Sequence, residues 1–502
     1  DAAGNSAVEA DIDAWYDVTD PTTTIGSVDI SADTGSSDSD FITKTAGQTV
    51  TATLSAALAS DETLQISVNA GTTWSDDDHA TGDGTAVSIA GVTLSGSSSI
   101  KFRILDAAEN AGAVSTTAYT LDTTAPTLGT VGIATAGTGN ANDGDDVTLT
   151  FTADETIQTP TCTMKDGAGA TMDNSVATTH TGSNVWTCVV DTHNADANGA
   201  MTFSIAFTDS AGNAGTPDTS VDDSSSVTID NTHPTLSNIV MSTSGNTGYA
   251  KSGDTITLTI TASESVTALA CTIDGESATM GGSGTSWTAT LQMSGDETAG
   301  AATFSCASHV DAAANAGAAD TTADSGSITI DFVVPTLGTV GIADAGTGNA
   351  NDGDDVTLTF TSSETIQTPT CTMKDGAGAT MDNSVTTTHT GSNVWTCVVE
   401  TNNADADGAM TFSIAFTDSA GNAGTADTTV DDSSSVTIDN THPTLSNIAM
   451  TTSGNAGYAK SGDTITLTIT VSETVTGLAC TIDGETATMG GSGTSWTAAL
   501  AM

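Results

Sequence analysis

Aspartate and asparagine recur in one pattern along this 502-residue chain. A loop of the form Asp-x-x-x-Asn precedes a short apolar stretch, and an aspartate then stands four residues before a proline. Asp209, Asn213, Asp230 and Pro234 form one example. Carboxylate and amide oxygens are the ligands that hard cations prefer, Ca²⁺ above all. The pattern therefore points to repeated cation sites.

The pattern also divides the chain into a tandem array. It recurs with prolines Pro21, Pro126, Pro335 and Pro443, which gives about one small domain per hundred residues. The sequence also repeats almost verbatim at a longer period. TFSIAFTDSAGNAG at 202–215 returns at 411–424, an offset of 411 − 202 = 209 residues. The higher unit is a pair of unlike domains, type A followed by type B.

Short apolar alternations supply the elements that must position these acids. Val147, Leu149 and Phe151 alternate with Thr in residues 146–152, and residues 202–208 show the same period of two. Clusters of Gly, Asn and Asp separate such runs, and no run has helical periodicity. With Trp186 as a candidate core residue, the pattern predicts an all-β fold, a tandem array of immunoglobulin-like β-sandwich domains.

The expected boundaries follow from the repeat. They are a C-terminal remnant of a domain at 1–20, a divergent domain 1 at 21–123, domain 2 (type A) at 124–232, domain 3 (type B) at 233–333, domain 4 (type A) at 334–441, and a truncated domain 5 (type B) at 442–502. Both ends look cut, so we expect a segment of a longer array.

The cysteines fall in pairs inside single domains. The pairs are Cys162 with Cys188, Cys271 with Cys306, and Cys371 with Cys397, and Cys480 is left over. Disulfides at repeated positions predict an oxidising compartment, and therefore an extracellular or cell-surface location. Buried free thiols are the alternative.

Composition excludes several partners. Seven basic residues against 62 acidic ones give a net charge of −55, which repels nucleic acid and anionic lipid and attracts cations. No apolar run approaches transmembrane length, so direct membrane insertion of this segment is not expected.

Certain motifs resemble a known class of proteins. The DSAGNAG loops, the linkers VTIDNTHPT and YTLDTTAPT, and GDTITLTITASE at 253–264 resemble the tandem immunoglobulin-like repeats of prokaryotic surface proteins, such as giant adhesins and archaeal surface-layer proteins. The resemblance covers essentially the whole chain and implies Ca²⁺ at the domain junctions. The paired cysteines depart from it, because such adhesin repeats usually lack cysteine.

In an immunoglobulin-like sandwich, the loop after the second strand and the loop before the last strand share the end at which the preceding linker arrives. A linker Asp, a Glu after the second strand, and the Asp and Asn of the later loop should therefore converge. The candidate metal ligands are Asp17, Glu62, Asp106, Asn110, Asp122, Glu155, Asp209, Asn213, Asp230, Glu264, Asp311, Asn315, Asp331, Glu364, Asp418, Asn422, Asp439 and Glu473.

Two alternatives concern these acids. Asp154 is a less suitable ligand than Glu155, because the second type A copy has Ser363 at the first position and Glu364 at the second. Each Asp could also simply form a turn, since Asp bonds its own backbone readily. The run NANDGDD at 140–146 resembles a calcium loop loosely and is better interpreted as a tight turn.

Catalysis is not expected. The seven histidines do not recur as a set, and no nucleophile elbow, phosphate loop or HExxH motif occurs. Lys165, Lys374, Lys251 and Lys460 are better interpreted as surface residues than as isopeptide partners.

Three functions fit these features. The first is a structural segment of a surface filament or surface-layer lattice, with self-association and cations as partners. The second is the stalk of a giant calcium-stiffened adhesin. The third is a set of spacer repeats beside the catalytic domain of a carbohydrate-active surface enzyme. Regular repetition of the same faces favours the first.

Overall fold

The computed structural model describes residues 16–78, 83–137, 139–172, 175–346, 348–381 and 383–502. Within those ranges every regular element is a β-strand, and 40 strands are present. The predicted all-β class is therefore confirmed. Asp1, Asn5 and most of the predicted remnant lie outside the described residues.

Domain 1 is built around alternating apolar residues such as Leu64, Ile100 and Phe102, all fully buried. Its strands are β1 (Ile25–Ile30), β2 (Ile42–Thr43), β3 (Gly47–Leu54), β4 (Thr63–Ser67), β5 (Ser75–Asp76), β6 (Ala86–Thr93), β7 (Ser98–Leu105) and β8 (Ser115–Leu121). They form a three-stranded sheet, β1-β3-β6, and a five-stranded sheet, β2-β8-β7-β4-β5.

Domain 2 shows the predicted alternation most clearly, because Val147, Leu149 and Phe151 are completely buried and the intervening residues are not. Its strands are β9 (Leu128–Thr135), β10 (Asn140–Ala141), β11 (Asp146–Ala153), β12 (Thr161–Lys165), β13 (Ala177–Gly182), β14 (Val185–Asp191), β15 (Gly199–Ala200), β16 (Thr202–Ala206) and β17 (Thr228–Ile229). The main sheet has the order β13-β14-β11-β9, and β12 pairs with β16.

Domain 3, of type B, differs by one long strand that contains Trp287. Its strands are β18 (Leu236–Thr243), β19 (Tyr249–Ala250), β20 (Thr255–Val266), β21 (Ala270–Ile273), β22 (Glu276–Ser277), β23 (Thr279–Gln292), β24 (Gly300–Ala301), β25 (Phe304–Ala307) and β26 (Thr329–Ile330). The sheets are β18-β20-β23, β22-β21-β25 and β19-β26-β24.

Domain 4 repeats the topology of domain 2. Its strands are β27 (Leu337–Asp344), β28 (Asn349–Ala350), β29 (Asp355–Ser362), β30 (Thr370–Lys374), β31 (Thr386–Gly391), β32 (Val394–Glu400), β33 (Gly408–Ala409), β34 (Thr411–Ala415) and β35 (Thr437–Ile438). Domain 5 contains β36 (Leu445–Thr452), β37 (Thr464–Val475), β38 (Thr481–Ile482), β39 (Glu485–Thr486) and β40 (Thr488–Ala501).

Each predicted domain range contains its own hydrophobic core. The cores of domains 2 and 4 contain equivalent residues, for example Phe151 and Phe360 on the second strand. Among the residues that the structure describes, no apolar cluster contains residues from two ranges. Each predicted range thus packs around its own core.

Disulfides lie within three of these cores, and they are the three pairs that the 209-residue period predicts. Cys162–Cys188 joins β12 to β14 and so bridges two sheets, and Cys371–Cys397 repeats it. Cys271–Cys306 instead joins directly paired residues of the adjacent strands β21 and β25. Cys480 is unpaired.

In domains 2, 3 and 4 the first strand has an edge whose amides are bonded to side chains. Val131 N donates to Asp222 Oδ2 over 2.8 Å, and Ile133 N donates to Ser225 Oγ over 2.8 Å. Domain 4 repeats the carboxylate cap at Val340 N with Asp431. In domain 3 the amide of Ile239 donates to Asp324.

In the part of the chain that the structure describes, no helix is long and apolar enough to cross a membrane.

Candidate cation sites at the domain junctions

Three junctions each bring three carboxylates together. In each group one carboxylate oxygen per residue lies within 4.8 Å of the others. The groups are Asp122 with Glu155 and Asp209, Asp230 with Glu264 and Asp311, and Asp331 with Glu364 and Asp418. Each group takes one acid from the linker, one from the end of the second long strand, and one from the later loop.

The loop aspartate is fixed by its own turn. Asp209 is 1% exposed, its Oδ1 accepts from Asn213 N over 2.7 Å, and its Oδ2 accepts from Asn213 Nδ2 over 2.6 Å. Gly212 adopts a left-handed backbone, φ 88°, which closes the loop at little cost. Turn formation and convergence of acids are therefore compatible in this loop.

The asparagine of the loop connects it to the linker. Asn213 Nδ2 also donates to Asp122 O over 2.8 Å, and Asn315 and Asn422 make the same bond to Asp230 O and Asp331 O. Its amide nitrogen is thus used as a donor twice. The structure makes this asparagine a residue that positions the linker Asp beside the loop Asp.

The residue just before the glutamate bonds to the start of the first strand of its domain. Asp154 accepts from Thr127 N over 2.9 Å and from Thr127 Oγ1 over 2.7 Å, so its oxygens hold the start of β9. Ser363 accepts from Thr336 N in the same place. The next residue, Glu155 or Glu364, is left to face the other two acids.

Electrostatics in the three groups is unfavourable for the ionised glutamate. Burial first, and then the charges of Asp122, Asp209 and Asp154, raise the pKa of Glu155 above its ordinary value. Burial and the two neighbouring aspartates likewise raise the pKa of Glu264 and of Glu364. Like charges at this separation oppose ionisation, and a bound cation would remove that opposition.

A buried acceptor also fits a cation. Oε1 of Glu364 is buried and has no hydrogen-bond donor among the described residues. A carboxylate oxygen without a donor is costly inside a protein unless a cation lies against it. Three carboxylates from separate segments are oxygen ligands of the kind that Ca²⁺ takes.

The described residues of domain 1 do not complete such a group. Thr24 N donates to Ser55 Oγ, as Thr336 N does to Ser363, so the glutamate position is held by Ala56. Glu62 lies elsewhere, where its Oε2 accepts from Ala59 N over 2.9 Å. Asp17, Asp106 and Asn110 keep the linker geometry, because Asn110 Nδ2 donates to both Asp17 O and Asp106 Oδ2.

At the junction of domains 4 and 5, Asp439 and Glu473 line one cleft with His442. Oε1 of Glu473 is buried, and like Oε1 of Glu364 it has no hydrogen-bond donor in the described part of the chain. Among the described residues, no third carboxylate joins this pair within 4.8 Å.

The NANDGDD run is built as a turn. Asp145 Oδ2 accepts from Asn142 N over 3.0 Å, and Asp143 accepts from both the backbone and the side-chain amide of Asn194. These acids are therefore occupied by backbone and amide donors.

Sequence reasoning missed a set of contacts between neighbouring domains. Thr34 Oγ1 donates to Ala211 O, and Asn246 Nδ2 donates to Ser419 O, each from the loop before the second long strand to the next domain's Asp loop. Lys44 Nζ donates to Gly212 O over 2.6 Å. A signal existed, because Lys44, Lys251 and Lys460 occupy this loop in a chain with only seven basic residues.

Comparison with known proteins finds similarity in structure only. No protein-family model and no curated protein matches this chain. A tetra-tandem repeat from the extending region of a large adhesion protein is 17% identical, with 82% of this chain and 99% of that chain covered and a TM-score of 0.34.

Two further solved structures are of the same general kind. A structure of a 1.5-MDa bacterial ice-binding adhesin is 20% identical over 63% of this chain and 98% of that chain, with a TM-score of 0.35. The titin I-band fragment I67–I69 is 12% identical over 63% and 99%, with a TM-score of 0.29. The expected likeness to tandem immunoglobulin-like repeats is confirmed as a likeness of fold. At these TM-scores it carries no argument about the sites.

Proposed function

We propose that this chain is an extracellular structural segment, a repeat region of a surface filament or surface-layer lattice, in which Ca²⁺ sets the angle between neighbouring domains. The observation that carries the proposal is the convergence of linker, strand-end and loop carboxylates at three successive junctions. Each group contains acids from both sides of a linker, so an ion there would couple the linker to the following domain.

The linker makes this coupling effective. Only Asn231, Thr232 and His233 separate Asp230 from Pro234, which limits the freedom between domains 2 and 3 without supplying an apolar interface. An ion bound by Asp230, Glu264 and Asp311 would replace repulsion between three acids with a shared ligand. The angle between the domains would then be fixed.

The repeat supports an assembled structure. Domains 2 and 4 have the same strands, the same disulfide and the same junction groups, separated by 209 residues. A rod of this kind presents the same faces at regular intervals, which lateral assembly requires. The disulfides support an oxidising, extracellular location.

Calcium titration calorimetry and small-angle scattering of the whole chain test the proposal. We expect binding of Ca²⁺ at up to millimolar concentrations, and a larger, better-defined maximum dimension with Ca²⁺ than with chelator. Asp230→Asn should remove one binding event, because it neutralises a ligand and keeps the side-chain shape. Asp218→Asn is the matched control, since both aspartates accept from the amide two residues ahead but Asp218 lies outside the groups.

Absence of binding heat at millimolar Ca²⁺, together with an unchanged maximum dimension, would contradict the proposal. Electron microscopy of the calcium-loaded protein addresses assembly. Ordered lateral contacts would support a filament or lattice, whereas isolated rods would favour the stalk of an adhesin.

A further inference from the structure

The joints that lead into type A domains contain a lysine. Between domains 1 and 2, Lys44 Nζ donates to Gly212 O over 2.6 Å, beside the bond from Thr34 Oγ1 to Ala211 O. Gly212 belongs to the same five-residue loop as Asp209, which is a member of the carboxylate group. A fixed cation of the protein therefore lies on the loop of the candidate cation site.

At the joint between domains 3 and 4 a lysine again lies beside the corresponding glycine, but there the hydrogen bond to the loop comes from Asn246. Gly421 corresponds to Gly212, and a Cβ built there would lie 3.4 Å from Lys251 Cε and 3.2 Å from Asn246 Nδ2. Asn246 Nδ2 also donates to Ser419 O over 3.0 Å. Both glycines have left-handed backbones, with φ 88° and 90°. A side chain at either glycine would be strained and would crowd the upstream domain.

The joint that leads into type B domain 3 is different. There the hydrogen bond between domains 2 and 3 joins two uncharged side chains, since Asn142 Nδ2 donates to Asn315 Oδ1 over 3.3 Å. The glycine is replaced by Ala314, and the upstream loop NANDGDD contains no lysine. The corresponding loop of domain 4, at 349–355, has the same sequence.

The distribution of basic residues follows this alternation. Of seven lysines and arginines, Lys44, Lys251 and Lys460 occupy the upstream loop in domains 1, 3 and 5. The loops of Lys251 and Lys460 share one conformation, since each lysine amide donates to the Asp three residues later, over 3.0 and 2.9 Å. In a chain of charge −55, three of the few cations stand in one equivalent place.

We propose that Lys44 and Lys251, each packed beside the downstream glycine, hold the joints that enter type A domains, so that these joints keep the angle set in Ca²⁺ after the ion is removed. The ammonium group of Lys44 donates to the loop carbonyl, and Lys251 lies against the corresponding loop. In each joint the positive charge offsets part of the repulsion between the three carboxylates of the group. A neutral amide pair supplies neither a charge nor a strong bond. Joints that enter type B domains therefore depend on the ion, and removal of the ion loosens every second joint. The ion dependence rests on the proposed function.

Single-molecule distance measurements on the full chain test this inference. Dyes are attached through non-natural amino acids at exposed positions on β13, β22 and β31, namely 177, 277 and 386. The pair 177 and 277 spans a joint into type B, and the pair 277 and 386 spans a joint into type A. In the unsubstituted protein, chelator should broaden the first distance distribution and leave the second narrow.

Lys251→Gln should broaden the second distribution in chelator, and Lys251→Arg should restore it. Lys460→Gln is the matched control, because Lys460 has the same loop and lies outside both measured joints; circular dichroism checks that each variant is folded. The inference is overturned if Lys251→Gln leaves the second distribution unchanged in chelator, or if chelator broadens both joints equally in the unsubstituted protein. If neither joint responds to chelator but Lys251→Gln broadens the second, the calcium proposal fails and the lysine–glycine pairing stands.

Discussion

Replacing Glu264 with glutamine should raise the free energy of unfolding of domain 3 without Ca²⁺ and lower it with Ca²⁺. One oxygen of Glu264 lies within 4.8 Å of one oxygen of Asp230 and of Asp311. Two unit charges at that distance repel by about 0.9 kcal/mol in a water-like dielectric and by about 3.5 kcal/mol at an effective dielectric constant of about 20. Glu264 is partly exposed, so the lower figure is appropriate.

Two such repulsions amount to about 2 kcal/mol, and physiological salt reduces them to about 1 kcal/mol. In chelator, Glu264→Gln should therefore raise the free energy of unfolding of domain 3 by about 1–2 kcal/mol. Amide exchange in β20 would become about 5 to 30 times slower. In Ca²⁺ the order reverses, because a site occupied at 100 times its Kd stabilises by about 2.7 kcal/mol and the variant loses a ligand.

The pH dependence gives a second readout of the same residue. Burial and the two aspartates raise the folded-state pKa of Glu264 above its unfolded value. Its contribution to stability is therefore greatest below the unfolded pKa and is lost as pH rises through the folded pKa. Calcium-free domain 3 should become more stable over that interval as pH falls, and Glu264→Gln should remove this gain.

Hydrogen exchange with mass spectrometry of the whole chain measures each domain separately. Peptides of domain 4, with Glu364 intact, serve as the internal reference, and Glu276→Gln serves as a control at an exposed glutamate of the same domain. An effect of the same sign in Ca²⁺ and in chelator, or no effect in chelator, would refute the electrostatic reasoning.

Two further predictions concern single domains. Replacing both Cys162 and Cys188 with serine should lower the free energy of unfolding of domain 2 by about 3.5 kcal/mol on the chain-entropy model. Denaturant-dependent hydrogen exchange measures this change. Equal exchange rates in domains 2 and 4 of the variant would contradict it. Hydrogen bonds from the amide of Ala197, and then from those of Ala170 and Ala168, lower the pKa of Asp166. The stability that Asp166 contributes is thus present at neutral pH and is lost as pH falls through its folded pKa. Asp166→Asn should therefore make the stability of domain 2, but not that of domain 4, less dependent on pH on the acid side. Superimposable stability curves for the variant and the unsubstituted protein would count against this.

The sandwich fold and three of the carboxylate groups could be predicted because their signals are local and periodic. Val147, Leu149 and Phe151 alternate along one strand, and burial of one face requires that alternation. The offset of 209 residues showed that Glu155 persists as Glu364 while Asp154 does not. The hydrogen bonds of Asp154 to Thr127 now give the physical reason.

Other features depend on contacts that no local pattern encodes. In domain 1 the bond from Thr24 N to Ser55 Oγ shows that Ala56 occupies the position of Glu155. The divergent sequence around Glu62 gives no sign of this alignment. The type of the loop residues likewise did not reveal that Asn213 uses its nitrogen, as a donor, to hold the linker. The contact of Lys44 with Gly212 depends on how one domain sits on the next.

The carboxylate caps on the first strand of domains 2, 3 and 4 have a consequence for how the array folds. Because two nearly identical type A domains belong to one chain, the local concentration of each relative to the other is high. Strands of such repeats can exchange between domains during folding. An edge strand with free amides would invite that exchange. Because Asp222 occupies the amide of Val131 and brings a negative charge to that edge, a strand from another repeat meets both a filled bond and a repelling group. The caps thereby favour correct folding of each repeat within its own stretch of chain.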